Sequence, residues 1–457
     1  MKIINSLFLS LLVFFSNSLF ASNAFNFEGY GAVSRSLGGS GSAHNVGVMA
    51  MMTNPATLGL MPEGTELHLG FDILFPDIEL RNTQTGEKAV SGDRSNNRGP
   101  YVAPEMGIVH RFDRLTLGTG IFAQGGAGTE YGDNSFLSRT TTNNIDTGLD
   151  ISSRILNVEI PFAMAFRLND HITIGASFDA IWTAANASFL LDASQVGSFI
   201  AEGRAGGSLV PMLAGFPAFS GVHIGVTKDE MTGGGVEAWG YAGKLGFTYQ
   251  ILPSTRLAAV YHAKTRVGDL KGKAEVTLID QFIGQVSMSG PVEIRNFQSP
   301  AQFMMGISHQ FNQEWTLVAD YQRAFWEDVM KDINIGFIDD ASGGSIEVSV
   351  PLNFPDINIY TIGVEYRPNQ QWSFRGGYND SDQVVATDLL FDILPAHTTS
   401  HLTAGFSYHF NRKNKVEFAL SHALNNKRRN SKLPNTSKPI ESNHSQLNAV
   451  IAYVYRF

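Results

Sequence analysis

Along most of this chain apolar and polar residues alternate one for one over runs of about 9 to 11 residues, the length a tilted strand needs to cross a bilayer. Ile172, Ile174, Ala176, Phe178, Ala180 and Trp182 make one face, and Thr173, Gly175, Ser177 and Asp179 the other. Successive strand side chains point to opposite sides, so the first set suits lipid and the second a wetter interior. Asp179 fixes that assignment, because a carboxylate facing hydrocarbon is costly. Leu402, Ala404, Phe406, Tyr408 and Phe410 repeat the pattern against Thr403, Gly405, Ser407 and His409. Strands of this kind can span lipid only in a closed barrel, where every backbone N–H and C=O is paired with a neighbour.

Runs with this period start near Glu66, Tyr101, Arg114, Leu156, His171, Glu237, Thr255, Ala301, Glu314, Asn358, Gln371, His401, Lys415 and Gln446. They predict an all-β fold, a barrel of about fourteen antiparallel transmembrane strands, an even number as is usual in single-chain bacterial barrels. Leu168-Asn169-Asp170-His171, Pro368-Asn369-Gln370-Gln371 and Asn411-Arg412-Lys413-Asn414 carry the residues of tight turns, whereas the alternate connections are long. Short turns are expected on the periplasmic side and long loops outside. The last run places Leu447, Ala449, Ile451, Tyr453, Tyr455 and Phe457 on one face. A terminal Phe there resembles the signal read by the outer-membrane barrel assembly machinery, an expected partner during insertion.

Residues 1–21 read as a signal peptide: Lys2 gives a positive end, an apolar stretch follows to Phe15, and Ala21 or Ala24 offers a small-residue cleavage site. An uncleaved membrane helix is the alternative, but the apolar core is shorter than about 18 residues and Ser16, Asn17 and Ser18 follow it. The expected organisation is a leader at 1–21, a Gly- and Ser-rich segment at 22–64 and the barrel at 65–457. Outer-membrane lipid and lipopolysaccharide would surround it.

Composition alone hides this design. With 43% hydrophobic and 16% charged residues the chain looks globular, since a barrel strand spends only every second position on lipid. The formal charge is -9, and beyond Lys427, Arg428 and Arg429 there is no basic tract, so nucleic acid is not an expected partner. The absence of cysteine excludes disulfides and thiol catalysis. No His-Glu-x-x-His is present, and His397 and His401, four apart, flank a loop-to-strand junction rather than share a helix. No catalytic residue, metal site or cofactor is expected. Residues 205–227 carry no Asp, Glu, Lys or Arg, but their glycines, prolines and serines argue for a hydrophobic extramembrane loop over a spanning helix.

Ahead of the first strand lies Asn26-Phe27-Glu28-Gly29-Tyr30-Gly31-Ala32, then Thr53-Asn54-Pro55-Ala56. With the strand pattern, Gly125-Gly126-Ala127-Gly128-Thr129-Glu130-Tyr131, Arg94-Ser95-Asn96-Asn97-Arg98-Gly99-Pro100-Tyr101, Asp328-Val329-Met330 and the terminal Phe457, the whole chain resembles the FadL family of outer-membrane long-chain fatty acid transporters. Within it the chain looks most similar to the TodX-type branch associated with aromatic hydrocarbons.

That resemblance implies a barrel plugged by an N-terminal hatch, a kinked third strand and sideways release of substrate into the bilayer, with fatty acids as the family default. It puts Asn54, Pro55 and Ala56 in the hatch against the kink, and Gly125, Gly126 and Gly128 at the lateral gate. An ordinary turn and an ordinary glycine-rich loop are the plainer alternatives. Phe25 and Phe27 would enter the binding pocket. Leu209, Met212, Leu213, Phe216 and Phe219, with Val196 and Phe199, would form an outer capture groove, or a loop packed over the rim.

One departure bears on the ligand. Fatty-acid members are expected to meet the carboxylate with basic lumenal residues, and the matching positions fall near Phe189 and Val350, neither of them basic. Arg154, Arg167, Lys244 or Arg375 are the candidates to substitute. The missing pair shifts weight toward neutral aromatic or alkyl hydrocarbons. A surface adhesin whose work lies in the long loops is the rival class.

Overall fold

The computed structural model describes residues 26–92, 100–226, 235–385, 393, 398–430 and 439–457. The expected leader, Phe25, His397 and most of the Arg94 to Pro100 phrase lie outside them.

The chain runs through β1 (Gly64–Asn82), β2 (Lys88–Gly92), β3 (Tyr101–Phe112), β4 (Leu115–Gly132), β5 (Ile151–Arg167) and β6 (Ile172–Asp192). It continues with β7 (Ala205–Gly206), β8 (Phe219–Val226), β9 (Val236–Leu252), β10 (Thr255–His262), β11 (Arg266–Val267), β12 (Leu270–Asp280) and β13 (Gly284–Arg295). Then come β14 (Gln302–Gln310), β15 (Trp315–Ala324), β16 (Asp332–Ile338), β17 (Ser345–Pro351) and β18 (Ile357–Tyr366). Last are β19 (Trp372–Ser381), β20 (Ser400–His409), β21 (Asn414–Asn430) and β22 (Ile440–Arg456).

The wall is a closed antiparallel circuit, β1–β3–β4–β5–β6–β9–β10–β14–β15–β18–β19–β20–β21–β22 and back to β1. At the seam the Phe457 N–H donates to the Thr65 carbonyl (3.1 Å) and the Thr65 N–H to the Phe457 carbonyl (3.2 Å). Alternation placed the starts at Tyr101, Thr255 and Ala301 at or beside the observed ones, while β5 and β22 begin earlier, at Ile151 and Ile440.

The expected strand number is corrected: the sheet as a whole holds more than fourteen, twenty-two among the described residues. Beyond the wall β2 pairs with β1, and a branch leaves the outer end of β6 through β8, β12, β13, β16 and β17 to β7. These strands stand outside the wall circuit, and the one-in-two signature fails in β12, where Val276, Thr277, Leu278, Ile279 and Asp280 are buried in succession.

Outward residues of the wall are greasy: Phe71, Phe178, Trp239, Leu245, Leu402 and Ile451 are exposed. Inward residues are charged and buried in pairs. Lys244 bonds Glu159 and Asp179, the latter at 2.8 Å, and Arg375 Nε donates to Glu365 (2.7 Å). Such pairing is what keeps ions tolerable away from water.

Residues 26–61 lie inside the ring. Their short helix α1 (Gly31–Ser36) and two 3-10 turns (Gly47–Met51, Pro55–Leu60) bond to strands on opposite sides of the circuit. The Tyr30 hydroxyl donates to the Gln124 carbonyl on β4 (2.9 Å) and Asn448 on β22 to Glu28 (3.2 Å). The Gly41 N–H donates to Asp320 on β15 (2.8 Å), and Thr403 on β20 accepts from the Gly38 N–H (2.9 Å). A segment tied to facing strands of a closed wall can only occupy its lumen. Leu37, Met51, Met52 and Leu58 bury against Phe122 of β4 there.

Candidate functional site

Above the wall, the outer end of β6 and the branch strands enclose an apolar chamber of about 90 Å³. Its roof begins at α2 (Ala193–Ala201), which starts where it does because Asp192 caps it. The Asp192 carboxylate accepts the Ser194 N–H (3.0 Å), and the Gln195 side chain returns to the Asp192 N–H (2.6 Å). This reciprocal box satisfies two of the N–H groups that a helix start leaves unpaired. Asp192 also accepts the N–H and hydroxyl of Thr142, both at 2.8 Å, which pins the neighbouring loop. Burial alone would raise this carboxyl, but the donors on Thr142 and Ser194 hold it below the usual range.

Every side chain lining the chamber is hydrophobic. Of the residues expected at an outer groove, Val196, Phe199, Leu209, Met212, Leu213 and Phe219 line it. Phe216 packs on the same cluster, its ring 6.5 Å from that of Phe219. Residues 205–226 of that stretch form β7, a 3-10 turn and β8 rather than a loose loop. Val222, Ile224, Val276, Leu278 and Phe337 complete the lining. They carry no lone motif, and only the doubled apolar pattern of β8 and β12 could have flagged them. Met212 and Ile200 are half exposed and mark the mouth. An apolar cavity of about 150 Å³ holds benzene, so this chamber is in the range of one small ring with modest side-chain movement.

Phe189 and Val350, where a fatty-acid site would carry cations, both face this chamber rather than the lumen. Charged groups at its edge are matched: Arg204 is paired with Asp332 (2.9 Å) and Arg295 with Glu347 (2.5 Å). The substitutes considered from sequence lie elsewhere. Lys244 and Arg375 are neutralised in the lumen, Arg167 sits near Asp170 (3.7 Å), and Arg154 stacks on Tyr101. Phe27 lies in the lumen, where it lines a small cavity with its ring 5.2 Å from the Arg35 guanidinium.

The wall itself is broken between β3 and β4. Their ladder stops at Glu105 and Phe122, although β3 extends to Tyr101 and β4 to Gly132. The β4–β5 register shifts between Ala123 and Gly125 and again between Glu130 and Gly132. Such bulges bend a strand away from its partner. Pro104 on β3 has no N–H to offer across the break. Above it β4 meets β2, where the Glu130 N–H donates to the Ser91 hydroxyl (2.7 Å). Gly125, Gly126 and Gly128 thus belong to a bulged strand beside the break, not to a glycine-rich loop.

The lumenal segment reaches this place through its first residues: Asn26 bridges Gly125, and the Phe27 N–H donates to the Gln124 carbonyl (3.4 Å). The hydrogen bonds of Asn54 and Ala56 run elsewhere. Asn54 caps its own turn through the Ala56 N–H (3.0 Å) and donates to the Ser42 carbonyl (2.8 Å) and, across to β9, the Phe247 carbonyl (3.5 Å). The Pro55–Ala56 backbone lies directly over Gly175 of β6, where no Cβ would fit. The capping geometry and that glycine hold the motif.

Residues 14–455 match the family described as outer membrane protein transport protein (OMPP1/FadL/TodX). The crystal structure of the Ralstonia pickettii toluene transporter TbuX is 46% identical, with a TM-score of 0.81, covering 94% of this chain and 99% of that one. The Pseudomonas putida toluene transporter TodX is 36% identical with a TM-score of 0.84, covering 95% and 100%. A long-chain fatty acid transport protein of Salmonella typhi is 22% identical over 416 residues, 88% of this chain and 86% of its own length.

Proposed function

The chain belongs to the outer membrane protein transport protein family (OMPP1/FadL/TodX), and from that premise we propose that it admits neutral hydrocarbons, monoaromatic ones above all, across the outer membrane. Family members of this kind are transporters of hydrophobic compounds, and no catalytic step is needed. The observation that carries the ligand class is the chamber lining, hydrophobic throughout. A toluene-sized solute gains from burial there, at about 25 cal/mol per Å² of apolar surface. A carboxylate would enter without a partner, and an unpaired buried anion is expelled or protonated.

From the chamber the solute passes into the lumen and leaves sideways through the break between β3 and β4, with residues 26–61 acting as the hatch that blocks the straight route. Lateral exit fits the solute: release into water would forfeit the gain of burial, whereas lipid preserves it. A removed leader, insertion by the barrel assembly machinery and a lipopolysaccharide surround complete this reading.

Fatty acids remain a second reading, favoured by the Salmonella typhi relative. Uptake of labelled toluene and of labelled oleate by cells lacking and regaining the protein separates the two. Toluene entry restored without oleate entry supports the hydrocarbon reading; the reverse overturns it. Altered adherence with no change in either solute would favour an adhesin. Deleting Gln124, the bulged residue of β4, restores its register with β5, removes the bend that carries β4 away from β3, and is expected to abolish entry if the break is the exit.

A further inference from the structure

At the height of the break no backbone bond joins β3 to β4, yet the opening is not empty. Tyr101, the first residue of β3, keeps its pairing with Leu74 of β1 and extends its ring across to β4. Its phenolic oxygen lies 3.1 Å, and the ring carbon that bears it 3.3 Å, from the point where a Cβ on Gly128 would stand. Gly128 is paired with Arg154 of β5, and the Arg154 guanidinium sits 5.1 Å over the centre of the Tyr101 ring. A cation at that distance from an aromatic face is attracted to it. One side chain, seated on a glycine and covered by an arginine, thus spans what the ladder leaves open. Turning a side chain about its first torsion disturbs no ladder bond, whereas widening the wall elsewhere would break several.

We infer that Tyr101, latched by Arg154, is the movable leaf of the lateral exit and sets the largest solute that can leave through it. This rests on the lateral-exit reading above. Gly128 serves the leaf by leaving room for the ring, and a Cβ there would push the ring off its seat.

The test compares entry of a two-ring hydrocarbon, naphthalene, with entry of toluene, at equal amounts of folded barrel in the outer membrane. Tyr101→Ala is expected to raise the naphthalene-to-toluene ratio about fivefold, the scale on which one lost aromatic contact moves a rate. Tyr101→Phe, which keeps the ring and its cation, leaves the ratio near the parent value, and Gly128→Ala moves it in the same direction as Tyr101→Ala. Should Tyr101→Ala fail to fold, Gly128→Ala carries the test. Deletion of Gln124 distinguishes the two levels of the argument. If the deletion abolishes entry while folded Tyr101→Ala and Gly128→Ala leave the ratio unchanged, the leaf is overturned and the exit stands. If the deletion leaves entry intact, the lateral exit is overturned and the leaf with it.

Discussion

Arg35 and Asp72 meet at 2.6 Å in the lumen, neither side chain open to water. The guanidinium also donates to the Gly29 carbonyl (3.0 Å) and stands 3.6 Å from Glu28, so α1 is tied to β1 and to its own leading turn by one charge. Removing one partner of such a buried pair costs about 3–5 kcal/mol, because the other is left uncompensated. Arg35→Met is therefore expected to loosen residues 26–61. Protease cleavage of that segment in the detergent-solubilised barrel is the check, and parent-like resistance would show the tie to be dispensable.

That tie leaves a trace in the sequence: apart from His44, Glu28 and Arg35 are the only acidic and basic residues between 26 and 61. Lone charges in an apolar, glycine-rich stretch point to partners on another element, and inward-facing Asp72 could have been named from its place between exposed Phe71 and half-buried Ile73. The wall was legible because lipid imposes its period on every strand it touches; Phe178 and Asp179 give opposite answers one residue apart. The chamber was legible only as a charge-free stretch. Its other half, β8, β12, β13, β16 and β17, obeys no membrane period. Which strand passes beneath Pro55 and Ala56 was not legible, because a capping turn and a wall contact draw on the same three residues.

Val350 offers a test of ligand class. A lysine there would put an ammonium into a lining that is otherwise hydrophobic throughout. An uncompensated buried ion costs several kcal/mol, and a carboxylate ligand would supply the missing partner. Val350→Lys should lower toluene entry and raise the oleate-to-toluene ratio by about tenfold, a shift of about 1.4 kcal/mol. Equal loss of both solutes would instead mean that the chamber had collapsed.

Gly175 tests the hatch. The Pro55–Ala56 backbone rests on it so closely that any side chain must displace one or the other. Gly175→Val is expected to push the turn at Pro55–Leu60 inward and to increase leakage of small hydrophilic solutes, read as sensitivity of cells to antibiotics the intact outer membrane excludes. Unchanged sensitivity in a correctly inserted variant argues that residues 26–61 do not seal the lumen.

Asp192 predicts an acid-labile roof. Its carboxyl is held below the usual range, so the stabilisation it lends is complete above the ordinary aspartate value of about 3.9 and is lost as pH falls through the lower folded value. Hydrogen exchange of the α2 amides, corrected for intrinsic rates, should be flat from about pH 8 to 5 and accelerate only below about pH 4. Asp192→Ala, losing about 1 kcal/mol of capping, should show faster exchange at neutral pH and no acid step.

Strand β6 carries lipid-facing Phe178 and chamber-lining Phe189 on one uninterrupted ribbon, its ladders to β5, β9 and β8 free of register shifts from end to end. The two residues are about 36 Å apart along it, at about 3.3 Å per residue. On the proposed function, a strand without a bulge carries the chamber at a set distance from the wall, and uptake needs no stroke of that strand. Supply of cargo then depends on how often it collides with a stationary mouth, and the traffic should follow the outside concentration down to its own depletion.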